Sequence, residues 1–194
     1  MKHYHTILIL LCIGCNNQPH KEDVEDIFNI LKHSFYSQKR TTIKISKTVR
    51  TPPSPSWLKH NNPLVDVSND SAEFEFEYFE EEDLKYLSKQ RNYLIAHREL
   101  LHQISDYFCE EDLIDIRYYA KKYKEFSPEW KAILNKYDMK SLMYFSYPVF
   151  NKKGNISLVV AYNLLGYGGC TPWYEILSFV KTDGVWKASY PPFH

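Results

Sequence analysis

Apolar and polar positions alternate along this chain in two distinct rhythms, and the change of rhythm predicts the architecture. In residues 22–36, Val24, Ile27, Phe28, Leu31 and Phe35 recur at helical spacing, with Glu22, Asp23, Glu25 and Asp26 in the first turn. That pattern predicts an amphipathic helix whose acidic start complements the helix dipole. Thr41–Val49 sets Ile43 and Ile45 against Lys44 and Ser46, the period of a strand. Thr51-Pro-Pro-Ser-Pro-Ser56 interrupts both rhythms, and residues 51–69 read as a Pro-rich loop pinned by Trp57 and Leu64-Val65. Ala72–Phe79 alternates Phe74, Phe76 and Tyr78 with Glu73, Glu75 and Glu77, which predicts a half-buried strand with an acidic outer face.

Helical spacing then returns. Glu80-Glu-Glu-Asp83 opens a helix carrying Leu84, Leu87, Arg91 and Leu94 on one side, and Leu100, Leu101 and Ile104 continue a helical pattern. Glu110–Phe126 and Ser127–Tyr137 read as two more helical pieces. In the second, Ser127 is placed to cap and Pro128 to occupy the first helical position. From Ser141 the period is that of strands: Leu142–Phe150 broken at Pro148, a turn at 151–155, Ile156–Leu164, the glycine-rich loop 166–172, Trp173–Lys181, a tight turn at Thr182-Asp-Gly184, and Val185–Tyr190. Sequential strands with short turns predict an antiparallel meander. Helices first and strands last predict an α+β fold, with the N-terminal and central helices packed on one face of the C-terminal meander.

The first fifteen residues belong to neither rhythm. Lys2 leads into the apolar run Ile7–Ile13, then Gly14 and Cys15. The run is about 10 Å long as a helix, against a bilayer core of about 30 Å, so it is too short to span and has the length of a signal-peptide hydrophobic region. The segment resembles a bacterial lipoprotein signal peptide with its lipobox. That resemblance implies that residues 1–14 are removed, that Cys15 is lipidated, and that its acyl chains insert in the membrane. Cys12 stands where leucine is usual, three residues before Cys15. On this reading residues 15–21 are a polar tether and 22–194 a single α+β domain. Asn16 follows the cysteine in place of the aspartate that retains such proteins at the inner membrane, which points to the outer membrane of a Gram-negative bacterium.

Composition narrows the partners. Removal of residues 1–14 takes out one basic residue, Lys2, leaving 23 basic against 24 acidic side chains. There is no basic excess to meet nucleic acid. After lipidation of Cys15, Cys109 and Cys170 remain. In an oxidising compartment they are candidate disulfide partners, the alternative being two separate buried thiols.

A second resemblance lies in the C-terminal half. Ser146-Tyr-Pro-Val-Phe-Asn151, Leu158-Val-Val160, Gly168-Gly-Cys170 and Gly184-Val-Trp-Lys187, preceded by Glu82-Asp-Leu-Lys-Tyr86 and Gln90, are similar to the ending of uncharacterised Gram-negative envelope lipoproteins. Such families often carry two cysteines in the glycine loop, where this chain has Cys170 alone. The resemblance implies an envelope location and no reaction.

Motif-level chemistry is sparse. His97 and His102 are five apart, about 500° around a helix, so they do not share a face as in a zinc helix. The acidic run 73–83 lacks the glycine-turned loop of a calcium site and reads as a solvated face. Gly166-Tyr-Gly-Gly169 leads into a strand rather than a helix, unlike a phosphate cradle. No catalytic residue, metal site or cofactor is therefore assigned. Tyr167, Trp173 and Tyr174 form a candidate recognition surface, the alternative being that they pack on the sheet. The expected function is a non-enzymatic binding module held to the membrane through Cys15, with an envelope protein or a glycan as partner. The alternatives are an envelope hydrolase with its site near the 166–174 loop and an immunity-type inhibitor.

Overall fold

The computed structural model describes residues 19–37, 43–60, 79, 81–115, 127–139, 141–165 and 173–189. Helices and one mixed sheet make an α+β fold. Helix α1 (Lys21–Ser37) buries Val24, Ile27, Phe28, Leu31 and Phe35, the stripe its sequence prescribes, together with Asp23. The other helices are α2 (Pro55–His60), α3 (Glu81–Ala96) and α4 (Pro128–Lys136). The apolar pattern after α3 folds as a 3₁₀ segment, Arg98–Asp106.

The strands are β1 (Ile43–Ser46), β2 (Leu113–Ile114), β3 (Ser141–Phe145), β4 (Val149–Phe150), β5 (Ile156–Leu165), β6 (Trp173–Thr182) and β7 (Val185–Ala188). Their order is β2-β1-β3-β5-β6-β7, with β4 also on β5. The expected meander is β3-β5-β6-β7, antiparallel throughout. Its last turn carries Asp183 at φ 52° and Gly184 at φ 79°. Positive φ at both central residues is what a two-residue hairpin needs to match strand twist.

The N-terminal strand extends this sheet at its far edge. β1 runs parallel to β3, placing Ile45 opposite Met143, and parallel to β2, placing Ile45 opposite Leu113. Leu113 and Ile114 therefore form a strand where the sequence pattern predicts helix. Pairing with β1 is the cause, and polar contacts line the same edge: Lys47 bonds Glu110, and Lys44 lies 3.6 Å from Asp112 and donates to the Glu111 carbonyl at 2.9 Å. Residues 116–126 of that expected helix, and residues 72–78 of the expected strand 72–79, lie outside the described residues, and Phe79 is in no strand.

The 51–69 stretch also departs from expectation, because part of it is α2. Ser54 Oγ accepts the Trp57 amide at 3.2 Å and Pro55 opens the helix. A serine cap followed by proline is a helix start as well as a breaker. Residues 61–69 lie outside the described residues.

Side-chain alternation sorts the core. Ile45, Met143, Phe145, Val159, Ala161, Leu177, Phe179 and Trp186 face α1 and the 3₁₀ segment. On the opposite face, Leu142 and Tyr144 pack with Ile133 and Leu134 of α4, and Leu158 packs with Leu58 of α2 and Leu87 of α3. The α1 layer on one face is thus matched by shorter helices on the other.

Two side chains fasten α3 to the sheet. Gln90 donates to the Phe150 carbonyl at 2.6 Å and accepts the Phe150 amide at 3.0 Å. Asp83 accepts the Lys152 amide at 2.9 Å. The turn between β4 and β5 is closed by Asn151, whose Oδ1 accepts the amides of Asn155 and Ile156 at 3.0 Å each. Residues that the sequence sets 60 apart, Gln90 and Phe150, therefore act as one joint.

Candidate functional site

Three tyrosines line up across the middle of the sheet. Tyr144 on β3 stands opposite Tyr162 on β5, and Tyr162 stands opposite Tyr174 on β6. Register places them on one face, at the roughly 4.8 Å spacing between neighbouring strands. The row belongs to the face covered by α2 and α4. Tyr144 is buried, Tyr162 is half-buried and Tyr174 is 44% exposed. The Trp57 ring from α2 meets Tyr174 edge-on, with centroids 4.9 Å apart.

Arg50 sits over this row. Its amide donates to the Phe145 carbonyl at 2.7 Å and its carbonyl accepts the Tyr147 amide at 2.9 Å. These bonds lock its backbone in a parallel bridge with Ser146 at the end of β3. The bridge is possible because Ser146 Oγ also accepts the Val160 amide at 2.8 Å, holding β3 to β5 just before Pro148 interrupts the strand. From that fixed backbone the guanidinium lies 4.4 Å from the Tyr144 ring centroid and 5.0 Å from that of Tyr162. The residue is exposed. Burial raises the Tyr162 pKa, Arg50 pulls it the other way and Tyr174 adds to the rise, so the hydroxyl is neutral at physiological pH.

The sequence-predicted residues divide around this surface. Tyr174 belongs to it. Trp173 is in β6, paired with Asn163. Tyr167, Cys170 and Cys15 lie outside the described residues. Cys109 is a free thiol and is exposed rather than buried. Its amide donates to Tyr36 Oη at 2.9 Å, and that hydroxyl donates to Asp112 at 2.9 Å. Burial is the first cause raising the Tyr36 pKa. Arg50, Tyr144 and Tyr162 carry no local motif. The signal that could have found the two tyrosines is their shared parity on the paired strands β3 and β5; no local signal marks Arg50.

A concavity of about 550 Å³ lies between α1 and β7. Ile30, Val185 and Trp186 give it an apolar side, and Asp26, Asn29 and His33 a polar one. His97 is occupied locally, with Nδ1 2.9 Å from the Tyr93 carbonyl and its ring stacked on Tyr93. Among the described residues no three His, Cys, Asp or Glu side chains gather to hold a metal ion, and no helix is long and apolar enough to cross a membrane. No protein-family model, curated protein or solved structure matches this chain.

Proposed function

We propose that this chain is a lipid-anchored protein of the cell envelope, held in the outer membrane through Cys15, and that it works as a non-enzymatic binding module. The observation that carries the binding reading is the exposed Arg50 guanidinium over Tyr144 and Tyr162, with Tyr174 and Trp57 beside them. Rigid aromatic side chains with an arginine among them are the residue types that dominate recognition surfaces.

Chain length supports a reading in which anchor and surface lie apart. From Cys15 to Lys21 the chain reaches about 20 Å at most. Helix α1 begins at Lys21, and its Asp23 is bonded to Lys181 and Trp186 at the β6–β7 end of the sheet. Tyr174 lies at the opposite end of β6, about 26 Å from Thr182 at 3.3 Å per residue. On this reading a tether entering at α1 leaves Arg50 and Tyr174, the exposed members of the surface, at the far end of the sheet.

Membrane fractionation of wild type and Cys15→Ser tests the anchor, and a photo-crosslinking residue at position 174 in intact cells tests the surface. Wild type is expected in the membrane fraction and Cys15→Ser in the soluble fraction. A crosslinked adduct is expected that disappears with Arg50→Gln. Membrane retention of Cys15→Ser overturns the anchor, and an adduct indifferent to Arg50 overturns the binding surface.

A further inference from the structure

We propose that the Arg50–tyrosine surface takes a carboxylated sugar; this rests on the reading of that surface as the binding site. The first consideration is charge. Among the described residues no hydrogen bond or ion pair engages the Arg50 guanidinium, whose partners are the two tyrosine rings. A guanidinium over aromatic rings meets them through its weakly hydrated flat face and keeps its N–H edge for planar acceptors. That edge matches a carboxylate in two parallel hydrogen bonds. One cation balances one carboxylate, whereas a phosphate dianion would leave charge over.

The second consideration is shape. Arg50 lies over Tyr144 of β3 and Tyr162 of β5, and β5 is paired on both sides at the row, whereas β6 at Tyr174 is paired with β5 and meets β7 only over Phe179–Thr182. An extended peptide adds as a strand only at a sheet edge, and one added at the β6 edge would lie two strand spacings, about 10 Å, from Tyr162, so strand addition does not bring main chain to Arg50. A sugar needs no main-chain partner. Its C–H face lies on the Tyr174 ring, which is 44% exposed, and its hydroxyls pair with phenol groups such as that of Tyr162. A ligand with both a stacking face and one carboxylate meets Tyr174 and the cation together.

The third consideration is preorganisation. The Arg50 backbone is fixed by two main-chain bonds to β3 and its neighbour, and its guanidinium already lies 4.4 Å from the Tyr144 ring centroid. Little side-chain freedom remains to be lost on binding, which is where affinity at polar sites is usually lost.

The test is calorimetric titration of the full chain in detergent micelles with trigalacturonate, its methyl ester, N-acetylmuramic acid, N-acetylglucosamine and triglutamate. Esterification removes the charge from the ligand, so the comparison does not depend on a variant folding. The acids are expected to bind at least tenfold more tightly than their neutral counterparts. Binding is expected to weaken tenfold or more in Arg50→Gln and severalfold in Arg50→Lys, which keeps the charge without the fork. If triglutamate binds in an Arg50-dependent way and the sugars do not, the sugar class is overturned while the binding surface stands. If acids and neutral sugars bind alike, or none binds, the inference is overturned, and the crosslink at position 174 separately decides the binding surface.

Discussion

The Asp23 carboxylate accepts the indole N–H of Trp186 at 2.8 Å across 163 positions of sequence. The same oxygen accepts Lys181 Nζ at 2.6 Å, and the Lys181 ammonium lies 5.6 Å from the Trp186 ring centroid. One side chain in the first turn of α1 thus satisfies a donor from each strand of the last hairpin. Trp186 is buried, so removal of the acceptor leaves an indole N–H without a partner in the core. Asp23→Ala is expected to cost about 2–3 kcal/mol, the range for a buried donor orphaned beside a charge. Asp23→Asn keeps an acceptor and is expected to cost less. Urea unfolding of the two variants measures the difference; equal costs would show that charge, not the indole bond, holds the helix.

Gln90 gives a sharper case, because it serves main chain rather than side chain. Its amide closes both polar groups of Phe150 where β4 has no other strand beyond β5 to pair with. Gln90→Leu preserves bulk and leaves a buried N–H and a buried carbonyl unpaired. The expected loss is about 2–4 kcal/mol. Gln90→Glu keeps the acceptor for the Phe150 amide and, if ionised, opposes the carbonyl, so its penalty should fall as pH is lowered. Thermal denaturation at neutral and acid pH reads both effects, and a Gln90→Leu protein as stable as wild type would show the joint to be dispensable.

The fold was legible where the signal is local. The stripe Val24–Phe35 reports the buried face of α1, Pro128 reports the start of α4, and Asp183-Gly184 reports its hairpin, because each depends on residues a few positions apart. What escaped depends on pairing across the chain. Leu113-Ile114 is a strand only because Ile45 and Ser46 lie beside it. Helix α2 was hidden because Ser54-Pro55 signals a cap and a break equally well. The Arg50 surface was half legible: Tyr174 was marked by its aromatic neighbourhood, whereas Arg50 meets Tyr144 and Tyr162 only through the β1–β3 and β3–β5 registers.

Tyr147 makes stability depend on pH at the alkaline end. Burial is the first cause that pushes its pKa up to about 12, with Tyr107 and Tyr93 adding to the rise. The unfolded value is near 10, so the native protein holds this proton over a window in which the unfolded chain releases it. Stability from this group is complete below pH 10 and is lost as pH rises through 12. The loss is roughly 2–3 kcal/mol by linkage. Lysines titrate in the same window, so the useful quantity is the difference between wild type and Tyr147→Phe in urea midpoints from pH 9 to 12. Wild type should lose more stability than the variant over that range; parallel curves would show that the hydroxyl is solvated in the native state.

Gly184 tests whether the last hairpin is limited by space or by backbone angle. A Cβ placed there meets nothing within 4 Å, so a side chain has room. The φ of 79° is nevertheless in the left-handed region that L-residues avoid. Gly184→Ala is therefore expected to cost about 1 kcal/mol through conformation alone. Gly184→Asn, which tolerates that region better, should recover part of the loss. If sterics governed the site instead, asparagine would be worse than alanine. Urea unfolding followed by circular dichroism measures both costs, because Trp57, Trp130 and Trp173 fluoresce alongside Trp186.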